Sequence, residues 1–310
     1  MQKSRIISFS LVFALCAAAA LAQRFGGGGG GRGRGFGGGR YRGGDGISQT
    51  EGGVMVDESI VKTAREIASH SSGTPNWTNT PGFDRDVFTF VRIIRDRGGY
   101  SGGSWITDFP DSDLNLSFRV QQMTSIRTNP DGRIMRLTDP ELLSYPWIYM
   151  VEPGTLSIRD EEVPVLRQYL LNGGFLMADD FWGEEEWEQF EKEIKRVFPE
   201  RQFTELPMDH PIFHSVFDLK VPKNKLQTPN INLGIQSQYT GVTWERSDAV
   251  DMHVRAISDD KGRMMVIAMH NCDNGDGWER EGENDYFFHE FSEKRAFPLG
   301  INVIFYAMTH

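Results

Sequence analysis

The residues of this chain that could do chemistry are a small set of acids and histidines. Asp179 and Asp180 stand side by side after a short apolar run, Phe175 to Ala178. Open α/β sheets place their ligands at the carboxyl ends of strands, so an acidic pair there suits metal ligation or general acid–base work. The same residues also suit a turn or the cap of a following helix. His210 and His214 lie four apart, which would put both rings on one helical face. Zinc or manganese could bind there with Asp180 completing the shell. Pro211 between them permits only a first turn, and a second reading has Asp209 capping that turn while the two rings satisfy carbonyls. His270, beside Asn271 at another strand end, could face the same crevice as Asp180 and act with it as an acid–base pair, with Glu279 downstream. Trp105, Trp182 and Trp278 fall in predicted loops and, with Asp179, are the candidate binding residues. Exposed, they would form a carbohydrate platform; buried, they would be loop anchors.

The elements that must position these residues are legible from periodicity. Ser157 can cap a helix whose first turn carries Asp160 and Glu161 and whose apolar face is Val163, Leu166, Tyr169 and Leu170. Asn172-Gly173-Gly174 stops it, and the strand 175–178 follows. Glu184 to Val197 is an acidic amphipathic helix with Trp187, Phe190, Ile194 and Val197 on one stripe. Further strands are expected within 86–94, 147–151, 249–257 and 263–269, and helices over 54–68, 114–123 and 298–308, with a helix start at Asp139-Pro140. Arg95 to Trp105 is a glycine-rich loop that matches neither the P-loop nor the dinucleotide fingerprint. The alternation predicts βαβ units and a mostly parallel sheet.

Residues 1–22 read as a secretory signal peptide: Lys3 and Arg5, an apolar run from Ile6 to Leu21, and Ala20-Leu21-Ala22 as the cleavage site. The expected location is the periplasm or outside the cell. Residues 23–50 hold a Gly/Arg tract that cannot build a core and reads as a basic linker. Residues 51–84 are expected as a helix and loop, and 85–310 as the main domain. Of the 33 Lys/Arg and 43 Asp/Glu, 7 bases and one acid precede residue 47, so the remainder carries about −16. That charge argues against a nucleic-acid partner. No membrane span is expected beyond the leader. A cell-envelope protein or polysaccharide is the expected partner. After cleavage Cys272 is the only cysteine, which excludes an internal disulfide.

Five segments, Tyr145-Pro-Trp-Ile-Tyr-Met150, LNGGFLMADD (171–180), LPMDHPIFHSVF (206–217), His270-Asn271 with Trp278-Glu279, and LGINVIFYAMTH (299–310), give the chain a resemblance to the bacterial domain of unknown function 4159 family. The resemblance covers roughly residues 85 to 310. It implies a three-layer flavodoxin-like fold related to class I glutamine amidotransferases, and no assigned activity. Those amidotransferases carry a G-x-C-x-G elbow, and here no strand is followed by one. Cys272 sits in a polar loop between Asn271 and Asp273, without the elbow that orients a nucleophile. No G-x-S-x-G exists either. Two functions stand: a non-catalytic binding domain of the cell envelope, or a metal-dependent hydrolase, perhaps on glycans, using Asp180, His210, His214 and His270.

Overall fold

Strands covered by helices on both faces must be apolar on both, and the central segments of this chain meet that demand. The computed structural model describes residues 46–71, 73–82, 86–96 and 104–310. Residues 1–22, expected as a leader, most of the Gly/Arg tract and much of the glycine-rich loop fall outside them. The strands in chain order are β1 (Ile47–Gln49), β2 (Met55–Asp57), β3 (Val91–Ile94), β4 (Arg133–Arg136), β5 (Trp147–Val151), β6 (Phe175–Phe181), β7 (Thr204–Glu205), β8 (His253–Ser258) and β9 (Met264–His270). β1 and β2 form an antiparallel pair; the other seven make one sheet in the order β4-β3-β5-β6-β9-β8-β7. The first five run parallel, β8 is antiparallel to β9, and β7 to β8. This is a mixed α/β architecture with a mostly parallel sheet.

Alternate residues of the buried strands face opposite layers. Ile148, Met150, Leu176, Ala178 and Val266 meet α2 (Glu162–Leu171) and α3 (Gly183–Val197) through Leu166, Leu170, Phe190 and Ile194. Trp147, Tyr149, Met177, Ile267 and Met269 meet α1 (Asp111–Met123), the later helix α5 (Asn274–Glu279) and α7 (Phe297–Thr309) on the other side. α4 (Ile231–Thr240) lies between β7 and β8 in the chain, and a short α6 (Asp285–Phe287) continues through a π-helical stretch, Phe288–Ala296, into α7. No helix of the described residues is long and apolar enough to cross a membrane.

Several expectations are corrected. Residues 54–68 are not a helix: they hold β2 and a 3-10 turn, Ala64–Glu66. The Asp57 carboxylate accepts the Ser59 N–H at 2.9 Å, a local bond that competes with helix formation. Val56, Ala64 and Ile67 instead pack on Ile94, Trp105 and Phe109. α2 begins at Glu162, not at Ser157, because Ile158 and Arg159 donate their N–H groups to Glu193 (2.9 Å) and Glu162 (3.0 Å) side chains. The start at Asp139 is only a 3-10 turn, Leu142–Ser144, and the strand expected from Ala249 begins at His253. β6 runs on through Asp179 and Asp180 instead of ending at Ala178. β4, α4 and α5 were not anticipated.

Candidate functional site

The carboxyl ends of β5, β6 and β9 lie side by side, and a left-handed residue sits at each. Glu152 (φ 47°), Asp180 (φ 58°) and Asn271 (φ 60°), with Asp108 (φ 61°) in the loop before α1, are the non-glycine residues of positive φ among those described. Each such conformation costs about 1–2 kcal/mol, and strain of this kind gathers at functional sites. At Asp180 the cause is visible. The β6–β9 register shifts between Asp179 and Phe181, and the Asp180 N–H donates to the Cys272 carbonyl at 3.0 Å. A bulge re-aims the side chain, and Trp182 Nε1 donates to Asp180 Oδ1 at 2.9 Å.

Asp108 is held by a buried arginine. Arg92 of β3 donates to the carbonyls of Trp105 (3.0 Å) and Thr107 (2.7 Å) and pairs with Asp113 at 2.5 Å, clamping the loop from both sides of Asp108. Glu152 accepts from the Thr107 hydroxyl at 2.8 Å and from the Ser104 N–H. The third wall is the start of α5. Asp273 caps it by accepting the Asp276 N–H at 2.7 Å. Beneath it, Asp179 accepts from Asn274 Nδ2 (2.7 Å), the N–H groups of Asn274 (3.0 Å) and Gly275 (3.1 Å), and the Tyr149 hydroxyl (3.1 Å). Asp179 thus has its oxygens filled and positions the helix. α5 comes so close that a Cβ on Gly275 would lie 2.0 Å from Asp108 Oδ2.

The result is a chain of acids. Asp108, Asp180 and Asp273 each place an oxygen within 4.8 Å of the others; so do Asp108, Asp276 and Glu279, and a third group joins Glu279 to His70 and Glu51. The ion pairs that neutralise these acids gather at one end. Arg280 pairs with Asp276 (3.2 Å), Glu279 (2.8 Å) and Glu51, and His70 with Asp111 (3.0 Å) and Glu279 (2.7 Å). Those two carboxylates raise the His70 pKa to about 10. At the other end, burial and neighbouring acids push Asp108, Asp180 and Asp273 well above the usual carboxylate range. Burial also raises Asp179 and Glu245 to about 7 and Glu279 to about 8.

Of the residues singled out from sequence, Asp179, Asp180 and Glu279 come together here. His270 does not join the three acid groups: its Nε2 meets the Gly183 carbonyl at 3.0 Å, its ring lies against Phe181 and His253, and burial lowers its pKa to about 4. His210 caps the 3-10 turn Pro211–Phe213, accepting the Ile212 N–H at 3.2 Å. His214 is bound to Asp218 and to the Met208 carbonyl, both at 2.7 Å. Neither belongs to a metal-capable group with Asp180 among the described residues. Trp105, Trp182 and Trp278 are at most 4 % exposed. Trp105 donates to Glu58 and Trp278 to the Ala296 carbonyl, each at 2.8 Å. All three are buried anchors, so they form no exposed carbohydrate platform. Cys272 is fully buried, its sulfur accepting the Thr228 N–H at 3.4 Å, and burial drives its thiol pKa well up.

Sequence reasoning passed over Asp108, Asp276, Glu152, His70, Glu51 and Arg280 as functional residues. One available signal was Asp273-Asn-Gly-Asp276, a run of acids and glycine two residues beyond a buried strand. No signal of comparable strength marks Asp108 or His70, which reach the site through long-range packing.

Among curated proteins, none matches the chain. A family model described as a domain of unknown function (DUF4159) matches residues 89–308. The match runs from just before β3 into α7 and takes in Asp108, Asp180, Asp273 and Glu279, whereas Glu51 and His70 precede it. It covers well over half of the sequence, and the chain belongs to the DUF4159 family.

Proposed function

We propose that the protein is an exported, non-catalytic binding domain of the cell envelope whose ligand site is the carboxylate cluster at the strand ends. The observation that carries this reading is the strained, bulged position of Asp180: a carboxylate stands at the strand end, while the one nearby thiol is buried and protonated. A thiol held in that way does not attack a substrate. Helices on both faces and the strand order, with β3 beside both β4 and β5, support a flavodoxin-like, amidotransferase-like descent without the glutaminase nucleophile. Fold alone does not supply function; the site does.

The test is co-sedimentation of the purified protein with isolated cell-envelope polysaccharide, beside Asp180→Asn and His210→Ala. Retention by the wild type and His210→Ala, lost in Asp180→Asn, is the expected result. Equal retention of all three would move the ligand site elsewhere. Fractionation with N-terminal sequencing tests export, which predicts a chain starting at Gln23 in the periplasm or medium.

A hydrolase reading is favoured by one observation: oxygens of Asp108, Asp276 and Glu279 lie within 4.8 Å of one another, and burial lifts Glu279 to about 8, a range suited to proton transfer. Release of soluble fragments from the same polysaccharide, abolished by Asp180→Asn, would establish it.

A further inference from the structure

We propose that Asp108, Asp180 and Asp273 form the binding site for one hard divalent cation of the Mg²⁺, Mn²⁺ or Ca²⁺ class. The inference rests on the strand-end cluster being the ligand site and names what that cluster holds first. Geometry is the first support. Such ions bind oxygens at about 2.0–2.6 Å, so oxygens on opposite sides of one ion lie about 4–5 Å apart. The three carboxylates fall within 4.8 Å of one another.

The second support is an orphaned atom. Asp108 is 1 % exposed, and its Oδ2 is buried without a hydrogen-bond partner. A buried carboxylate oxygen without a donor is costly, and proteins leave few of them. Arg92 and the close approach of Gly275 fix the residue in place, so it does not turn away to find a donor.

The third support is the uneven placement of charge. Where Asp276 and Glu279 gather, the chain supplies Arg280 and His70. Among the described residues, no Lys, Arg or His is ion-paired with Asp108, Asp180 or Asp273. The protein neutralises one end of its acid chain and leaves the other for a cation. This asymmetry also fixes the stoichiometry: the second trio, Asp108, Asp276 and Glu279, already has its positive partners, so one ion binds and not two.

Donor chemistry sets the class. Three carboxylates suit hard cations, whereas zinc favours imidazole and thiolate. His210, His214 and His270 lie in other surroundings, and the Cys272 sulfur is engaged by Thr228. Asp180, 8 % exposed, is the most accessible of the three and marks the side of entry.

The experiment is calorimetric titration of dialysed, chelator-treated protein with MnCl₂, CaCl₂, MgCl₂ and ZnCl₂, with melting curves on the same samples. The expected result is one Mn²⁺ or Ca²⁺ per chain, binding at least roughly tenfold more weakly in Asp180→Asn and little changed in His210→Ala. Without ion, Asp180→Asn should melt no lower than the wild type, since it relieves like-charge repulsion; that shows the variant is folded. Tighter Zn²⁺ binding lost in His210→Ala, no binding of the three hard ions at millimolar concentration, or equal binding by Asp180→Asn would each overturn the proposal. Polysaccharide retention with and without the ion separates the two readings. Retention without measurable binding of the ion sinks the cation and spares the binding domain; ion binding without retention does the reverse.

Discussion

Replacing Arg92 by methionine tests how the site is held. The Arg92 guanidinium and the Asp113 carboxylate are both wholly buried. Burial raises the Asp113 pKa even with the arginine in place, so the pair itself is a weak source of net stability, yet breaking it is costly. Removing one partner of a buried pair costs about 3–5 kcal/mol. The carbonyls of Trp105 and Thr107 lose their donor as well. At about 2–4 °C per kcal/mol for a domain near this size, the melting temperature of Arg92→Met should fall by roughly 10 °C. The double variant Arg92→Met/Asp113→Leu should recover most of that loss, because an apolar pair of similar volume replaces a buried ion pair at little cost. Cation affinity should stay impaired in both, since neither restores the clamp on the Asp108 loop. The assay is thermal unfolding followed by circular dichroism, with Mn²⁺ titration on the folded samples. A shift under about 2 °C, or a double variant no more stable than the single, would refute the reasoning.

Other outcomes follow from the same contacts. Gly275→Ala places a methyl group 2.0 Å from Asp108 Oδ2, so it should weaken ion binding by at least roughly tenfold while the far-ultraviolet spectrum is kept. Glu245 and Glu279 titrate at about 7 and 8 in the folded chain, above their unfolded values, so the folded state holds protons the unfolded chain has released. Stability from these groups is present at low pH and lost as pH rises through those values. His70, raised to about 10, acts in the same sense, its contribution being complete below about 6.5 and lost towards 10. His270, lowered to about 4, opposes them only below about 6.5. Denaturant melts without added ion should therefore show stability falling from pH 6.5 to 8.5, and saturating Mn²⁺ should flatten that fall. Cys272→Ala should leave polysaccharide retention and ion binding unchanged, and iodoacetamide should not modify the native wild type; loss of either would reinstate a role for the thiol.

The elements legible in the sequence were those whose pattern is local. β5, α3, β9 and α7 follow from uninterrupted apolar runs or a single apolar stripe, each longer than the turns that bound it. The Asp179-Asp180 pair was legible for the same reason, as acids directly after such a run. Their different roles were not. Whether an acid there faces helix α5 or Asp108 and Asp273 depends on the register shift against β9, a contact with residues about ninety positions away. The histidine pair misled because spacing of four speaks only if the segment is helical, and Pro211 opens a turn of three residues. Asp108 escaped because its position depends on Arg92 in a strand and Gly275 in a distant helix. The three tryptophans expected in loops, of which Trp278 lies in α5, are anchors for a like reason: each indole N–H finds an acceptor that only the folded chain provides.

The most direct test of the central claim is anomalous diffraction at the manganese edge from crystals of the protein soaked in MnCl₂. The account predicts one peak, within about 2.0–2.6 Å of carboxylate oxygens from Asp108, Asp180 and Asp273. A peak between His210 and His214, or a well-diffracting soaked crystal with no peak at the strand ends, would contradict it.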